Sequence, residues 1–190
     1  MISFKRIRYK NFLSTGNIPI EVELNKSATT LIVGSNGSGK STLLDALCYA
    51  LFNKPFRIIK KDQMVNTINN GDTLVEVEFE VGTNQYMIRR GIKPNLFEIY
   101  QNEKLINQDA SNIDYQKYLE QNIMKLNYRS FIQVVILGSS SYEPFMKMKP
   151  RYRREVVEEI LDIRVFGLMD LLLRSQQSDL QKKLTEVRHQ

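Results

Sequence analysis

The 190-residue sequence contains a single cysteine and a single histidine, and each scarcity removes a class of chemistry. Cys48 has no partner for a disulfide and no companions for a cysteine zinc site; set among apolar residues in a helical stretch, it reads as a small buried hydrophobe. His189 is the next-to-last residue, which leaves the core without an imidazole for acid–base work. Nowhere do eighteen apolar residues run together, and no charged segment followed by an apolar one opens the chain. Neither a membrane-spanning helix nor a secretory leader is therefore expected, and the expected location is cytoplasmic. Internal repeats and low-complexity segments are also absent.

What is present is concentrated in eight residues. Gly34-Ser35-Asn36-Gly37-Ser38-Gly39-Lys40-Ser41 matches the phosphate-binding pattern G-x-x-x-x-G-K-[ST] at every fixed position. The β-branched run Thr29–Val33 leads in as an expected buried strand. Thr42–Phe52, free of Gly and Pro, leads out as a helix. Gly34, Gly37 and Gly39 are expected to take positive φ and turn their N–H groups toward phosphate oxygens, with the helix N-terminus adding partial positive charge. Lys40 is expected to bridge the β- and γ-phosphates and act in catalysis, and the Ser41 hydroxyl to bind Mg²⁺. Ser35, Asn36, Ser38 and Thr42 complete the cradle, so ATP and Mg²⁺ are the expected ligands. The alternative is a glycine-rich turn before a core helix.

The formal charge is +6, and its distribution suits a polyanion. Lys54, Arg57, Lys60, Lys61, Arg89, Arg90 and Lys93 are expected to line a groove contacting DNA backbone phosphates, because no base-reading or stacking residues accompany them. The competing possibility is solvated surface, or, for the cluster from Lys147 to Arg154, a partner protein.

Periodicity places antiparallel strands beside the phosphate loop. Ile18, Ile20, Val22 and Leu24 alternate with Pro19, Glu21 and Glu23, and Val75, Val77, Phe79 and Val81 with Glu76, Glu78 and Glu80. Gly82-Thr83-Asn84 reads as a hairpin turn into 85–90, with a further strand at 96–100 and a turn at 101–104. Tyr115, Tyr118, Leu119, Asn122, Ile123 and Leu126 form a helical stripe, and 133–137 reads as a buried apolar run. After Pro150 the pattern is helical nearly to the end, with Leu173, Leu180, Leu184 and Val187 on a coiled-coil spacing or a core stripe. It stops in mid-pattern, as though cut.

A hydrolytic phosphate-loop site also needs an acidic residue at the end of a second strand. None is evident, since Asp162 and Asp170 lie in helical periodicity. The absence becomes intelligible through a resemblance carried by Lys10-Asn11-Phe12-Leu13-Ser14, Gly34–Ala46, Lys54-Pro55-Phe56-Arg57, Gly138–Met146 and Arg153-Arg154-Glu155. In these the chain resembles the N-terminal half of the ATPase subunits of double-strand-break repair and recombination nucleases, in the SMC-like branch of the ABC ATPases.

That resemblance implies an α/β phosphate-loop head: an N-terminal lobe over residues 1–168 with a flanking antiparallel sheet, then the start of a coiled coil over 169–190. It implies a nucleotide contact at Ser14, and places Ser139 where relatives carry a glutamine that senses Mg²⁺ and the γ-phosphate. Leu13 stands where an arginine is common. It further implies a C-terminal half supplying the missing motifs, a homodimer with ATP at its interface, a metallonuclease partner and double-stranded DNA, with ATP hydrolysis negligible in this chain alone. Two other readings are a DNA-tethering SMC-type protein without a nuclease and a small-metabolite kinase.

Overall fold

Alternation of apolar and charged residues builds the sheet that organises most of the chain. A computed structural model describes residues 2–106, 111–136, 143–161 and 163–188, and these divide into two units, Met1–Tyr142 and Glu143–Gln190.

In the first unit, β1 (Ile2–Lys10), β2 (Ile20–Glu23), β3 (Thr73–Val81), β4 (Asn84–Ile92), β5 (Leu96–Gln101) and β6 (Lys104–Leu105) form one antiparallel sheet in the order β2-β1-β3-β4-β5-β6. The hairpin expected at Gly82-Thr83-Asn84 forms, but Val81 pairs with Asn84, so its turn is the two residues Gly82-Thr83. Side chains alternate across each strand. Ile7, Tyr9, Val75, Val77, Phe79, Ile88 and Ile99 therefore all fall on one face and are buried. The other face carries charge: Glu21, Arg8, Glu76, Arg89 and Glu98 stand opposite one another in a row across five strands. Opposite charges so placed contribute about 0.2–1 kcal/mol per pair. The predicted strand around Ile18–Leu24 forms at the edge as β2, shortened to Ile20–Glu23, and Ile18 and Ile20 remain exposed; among the described residues no strand pairs with its outer edge.

Helix α1 (Thr42–Phe52) packs on the apolar face, with ten of its eleven residues buried, so it is a core helix and not an amphipathic surface one. Cys48 is fully buried in it, as expected. Tyr49 stacks on Phe12 at 5.5 Å and donates its hydroxyl to the Gly91 carbonyl at 3.3 Å. At the C-terminal end, Arg90 Nε donates to the Ala50 carbonyl and Gln116 Nε2 to that of Leu51, each at 2.9 Å. These bonds satisfy carbonyls that a helix end leaves without partners.

Three expectations are revised in this unit. Thr29–Val33 forms no strand and is not buried: Leu31, Ile32 and Val33 are 85%, 46% and 79% exposed. Nothing among the described residues offers this segment a ladder partner, and an apolar run becomes a buried strand only where a neighbour accepts its hydrogen bonds. The stripe over 115–126 is real at Tyr115, Leu119 and Ile123, but α2 (Asn112–Tyr118) continues into a π-helical turn, Leu119–Met124. The wider turn brings Met124 into the core, while Tyr118 and Asn122 face out. The run at 133–137 is split likewise. Helix α3 (Tyr128–Val134) leaves Val134 and Val135 exposed and Ile136 buried; Leu137 lies outside the described residues.

The second unit contains α4 (Pro150–Ile160) and α5 (Arg164–Arg188). Pro150 occupies the first helical position, where its missing N–H costs nothing. The helix breaks after Ile160, which the sequence pattern does not foretell. Along α5, Leu173, Leu180, Leu184 and Val187 are all more than half exposed. Among the described residues no helix is long and apolar enough to cross a membrane.

Candidate nucleotide site

The glycine loop ends at Ser41, which caps α1 without using its hydroxyl as a capping acceptor. Gly37 and Gly39 have φ of 86° and 91°, a region L-residues rarely occupy. Gly34 does not: its φ is not positive, and the expectation there is corrected. Its lack of a side chain matters for space, since a Cβ would lie 2.5 Å from Ser38 Oγ. Among the described residues the amide N–H groups of Gly37, Gly39, Lys40 and Ser41 have no acceptor in the protein. Lys40 folds back over the loop, donating from Nζ to the carbonyls of Gly34 and Ser35 at 2.7 Å each. Free donors, an ammonium group and an uncommitted hydroxyl thus converge at a helix N-terminus, the arrangement that binds phosphate.

This loop forms one side of a 420 Å³ cleft lined by Leu13, Ser14, Asn36, Gly37, Gly39, Lys40, Ser41, Thr42, Arg57 and Ile59. Ser14 comes from a distant part of the chain and meets the loop there, beside Leu13. Gly34, Ser35 and Ser38 shape the loop without lining the cleft. Ser139 lies outside the described residues, as does Asp162. Asp170 is ion-paired with Arg174 at 2.9 Å on α5.

Arg57, grouped with the DNA-contacting cations on sequence, instead lines this cleft. Its Nε donates to Asp45 Oδ2 at 2.7 Å and its backbone N–H to Oδ1 at 2.9 Å, with Asp45 fully buried. The signal that could have located it is Asp45 itself, the one charge in an otherwise apolar helix.

The other expected DNA contacts also separate. Arg90 is only 5% exposed; its guanidinium lies 3.6 Å from the Phe97 ring centroid and reaches Gln116 Oε1 at 2.6 Å. Arg89, one residue away and on the opposite face, is bound by Glu76 at 2.7 Å and Glu98 at 2.9 Å. The period of two in a strand makes a shared DNA groove for this pair impossible. Lys54, Lys60, Lys61 and Lys93 remain exposed, although Lys54 sits over the Tyr128 ring at 5.8 Å and Lys93 bonds Asn70 at 3.1 Å.

Glycine loop, lysine, serine and core helix together define a phosphate-loop nucleotide-binding domain. The chain belongs to the AAA domain family, whose model matches residues 6–190. It is 43% identical over 95% of its length to exonuclease subunit 2 of Escherichia phage RB69, covering 32% of that protein. It is 29% identical over 96% of its length to a DNA double-strand break repair Rad50 ATPase of Thermoplasma volcanium, covering 20% of it. The chain thus spans a third or less of the length of these curated relatives. The Smc head domain of Pyrococcus furiosus, solved with an extended coiled coil and bound to the C-terminal domain of ScpA, matches 98% of this chain and 48% of its own. Its TM-score is 0.69 at 19% identity, which establishes an SMC-type head fold.

Proposed function

We propose that this chain is the ATP- and Mg²⁺-binding lobe of an SMC-like ATPase that controls a partner nuclease in the processing of DNA double-strand breaks and in recombination. The observation that carries the nucleotide part is the set of amide donors at Gly37, Gly39, Lys40 and Ser41, which have no acceptor in the protein and belong to residues lining one cleft. Lys40 exchanges its two loop carbonyls for phosphate oxygens, and Ser41 offers its hydroxyl to the metal. Mg²⁺, when bound, neutralises charge building on the phosphates. Ser14 and Thr42 border the same cleft. Arg57 is reassigned from DNA to this site.

Hydrolysis requires a carboxylate that orients water. Among the described residues none stands free beside the cleft, because Asp45 is held by Arg57. A C-terminal half of the same ATPase supplies that carboxylate and pairs with the exposed Leu31-Ile32-Val33 segment, which forms a strand only on that pairing. Two completed heads close as a homodimer over ATP, with a metallonuclease and double-stranded DNA as partners. The lobe extends to about residue 168, and 169–190 begins the coiled coil; the exposed Leu173, Leu180, Leu184 and Val187 support this.

Nucleotide titration of the chain with Lys40→Ala tests the reading. Losing two charge-assisted contacts weakens ATP binding about a hundredfold or more with an unchanged melting temperature. Wild-type affinity in the variant would reject the assignment. Turnover by the chain alone is expected to be negligible, and robust turnover lost in Lys40→Ala would reveal a carboxylate supplied within it.

A further inference from the structure

One wall of the nucleotide cleft is held by a side chain that does not line it. Residues 11–15 form a tight loop in which Asn11 and Leu13 both adopt left-handed backbone, at φ of 51° and 53°. Outside glycine that conformation is disfavoured, and for leucine, whose side chain cannot bond its own backbone, it persists only where neighbours enforce it. The enforcing neighbour is the segment from Met64 to Asn66. Leu13 donates its N–H to the Met64 carbonyl at 2.7 Å, and Asn66 donates its own to the Asn11 carbonyl at 2.9 Å.

The Asn66 side chain closes the clip. It is 6% exposed, and Nδ2 donates to the carbonyls of Thr15 at 2.9 Å and Leu13 at 3.3 Å. Oδ1 accepts the N–H groups of Ile68 at 2.9 Å and Asn69 at 3.0 Å. All four bonding positions of the amide are used, two toward the 11–15 loop and two toward its own turn. The carbonyl of Leu13 is thereby fixed in place, and with it the presentation of Leu13 and Ser14 to the cleft. The phosphate loop is held by its own turns, Ser38 N–H to the Ser35 carbonyl and Thr42 N–H to that of Gly39, and makes no bond to Asn66. Leu13 and Ile59 give the cleft apolar lining, which suits the sugar and base of a nucleotide better than its phosphates.

We propose that Asn66 is a positioning residue for the nucleoside end of ATP: it holds the Leu13–Ser14 wall in register and so governs affinity for the nucleoside portion independently of the phosphates. The proposal rests on the nucleotide-site reading above.

Binding of MgATP and of inorganic tripolyphosphate with Mg²⁺ is measured by titration calorimetry on the full chain, wild type against Asn66→Asp and Asn66→Ala. Asn66→Asp keeps the acceptor for Ile68 and Asn69 but sets an oxygen against the Leu13 and Thr15 carbonyls. Asn66→Ala removes both arms without repulsion, and serves if the Asp variant fails to fold by thermal melt. The expected result is ATP affinity reduced about five- to tenfold with tripolyphosphate affinity within about twofold of wild type. Equal weakening of both ligands, the mark of a merely structural role, overturns the proposal, and so does no change in either. A wild-type chain that binds neither ligand overturns the nucleotide site itself.

Discussion

The buried carboxylate of Asp45 is bound by both the backbone and the side chain of Arg57, at 2.9 and 2.7 Å. Asp45 belongs to the first turn of α1 and Arg57 to the segment after it, so the pair fastens one wall of the cleft to the helix that carries the phosphate loop. Arg57→Ala leaves a carboxylate with 0% exposure and no cation. Breaking a wholly buried pair costs about 3–5 kcal/mol, but the Arg57 side chain is 41% exposed, so about 2 kcal/mol is expected. Asp45→Ala in the same chain should recover part of that loss. Denaturant melts of the two single variants and the double variant check this, and additive losses would show that the pair is not coupled.

Alkaline pH should unfold the first unit. Burial, with the Asp45 charge adding to it, pushes the Cys48 thiol from 9.0 up to about 12. Burial likewise raises the hydroxyls of Tyr49 and Tyr128 from 10.0 to about 12. For each acid the folded value is the higher one, so its contribution is intact below the unfolded value and is lost as pH rises toward 12. Arg90, lowered by burial from 12.5 to about 10, acts in the opposite sense above pH 10, but one base opposes three acids. Stability should fall from about pH 9 upward, and Cys48→Ala should remove a few kcal/mol of that decline. Melts across pH 8–11 on both chains measure it; identical pH profiles would refute the assignment to Cys48.

DNA binding should depend on exposed lysines and not on Arg89 or Arg90. Lys60→Ala with Lys61→Ala is expected to reduce the log–log salt slope of duplex binding by about 1.8, at about 0.9 per phosphate contact. Arg89→Ala should leave the slope unchanged, because Glu76 and Glu98 already neutralise that guanidinium. Anisotropy titrations at several salt concentrations distinguish these outcomes. A reduced slope in Arg89→Ala alone would return Arg89 to the DNA surface.

Polar replacement of the exposed apolar segment should be silent in this chain and harmful in its assembly. Leu31→Ser with Val33→Ser removes side chains 85% and 79% exposed, so a stability change within about 0.5 kcal/mol is expected. Co-expression with the C-terminal half proposed above should yield a complex from the wild type and none from the variant. Undiminished recovery of the complex would show that this segment is not the contact.

The local chemistry of this protein could be read from its residues in order. Gly37, Gly39, Lys40 and Ser41 announce a phosphate cradle, because backbone freedom, charge and hydroxyl must follow one another at fixed spacing around a helix N-terminus. The hairpin at Gly82-Thr83 and the strands on either side of it followed equally from alternation and turn chemistry. What depends on distant neighbours could not be read in this way. Arg89 and Arg90 look alike in sequence, yet one is neutralised on a charged face and the other is enclosed against Phe97, since only strand register assigns a residue to a face. Leu31-Ile32-Val33 has the composition of a buried strand and lies exposed, because burial requires a partner that periodicity cannot supply. Arg57 reads as one cation among several until the fold sets it against Asp45, and nothing in the sequence singles out Asn66, whose partners Leu13 and Thr15 lie more than fifty positions away. Residue types and short spacings determined which chemistry this protein can perform; tertiary structure alone decided which side chains stand close enough to share it, because hydrogen bonds and ion pairs act over a few ångströms however far apart their partners lie along the chain.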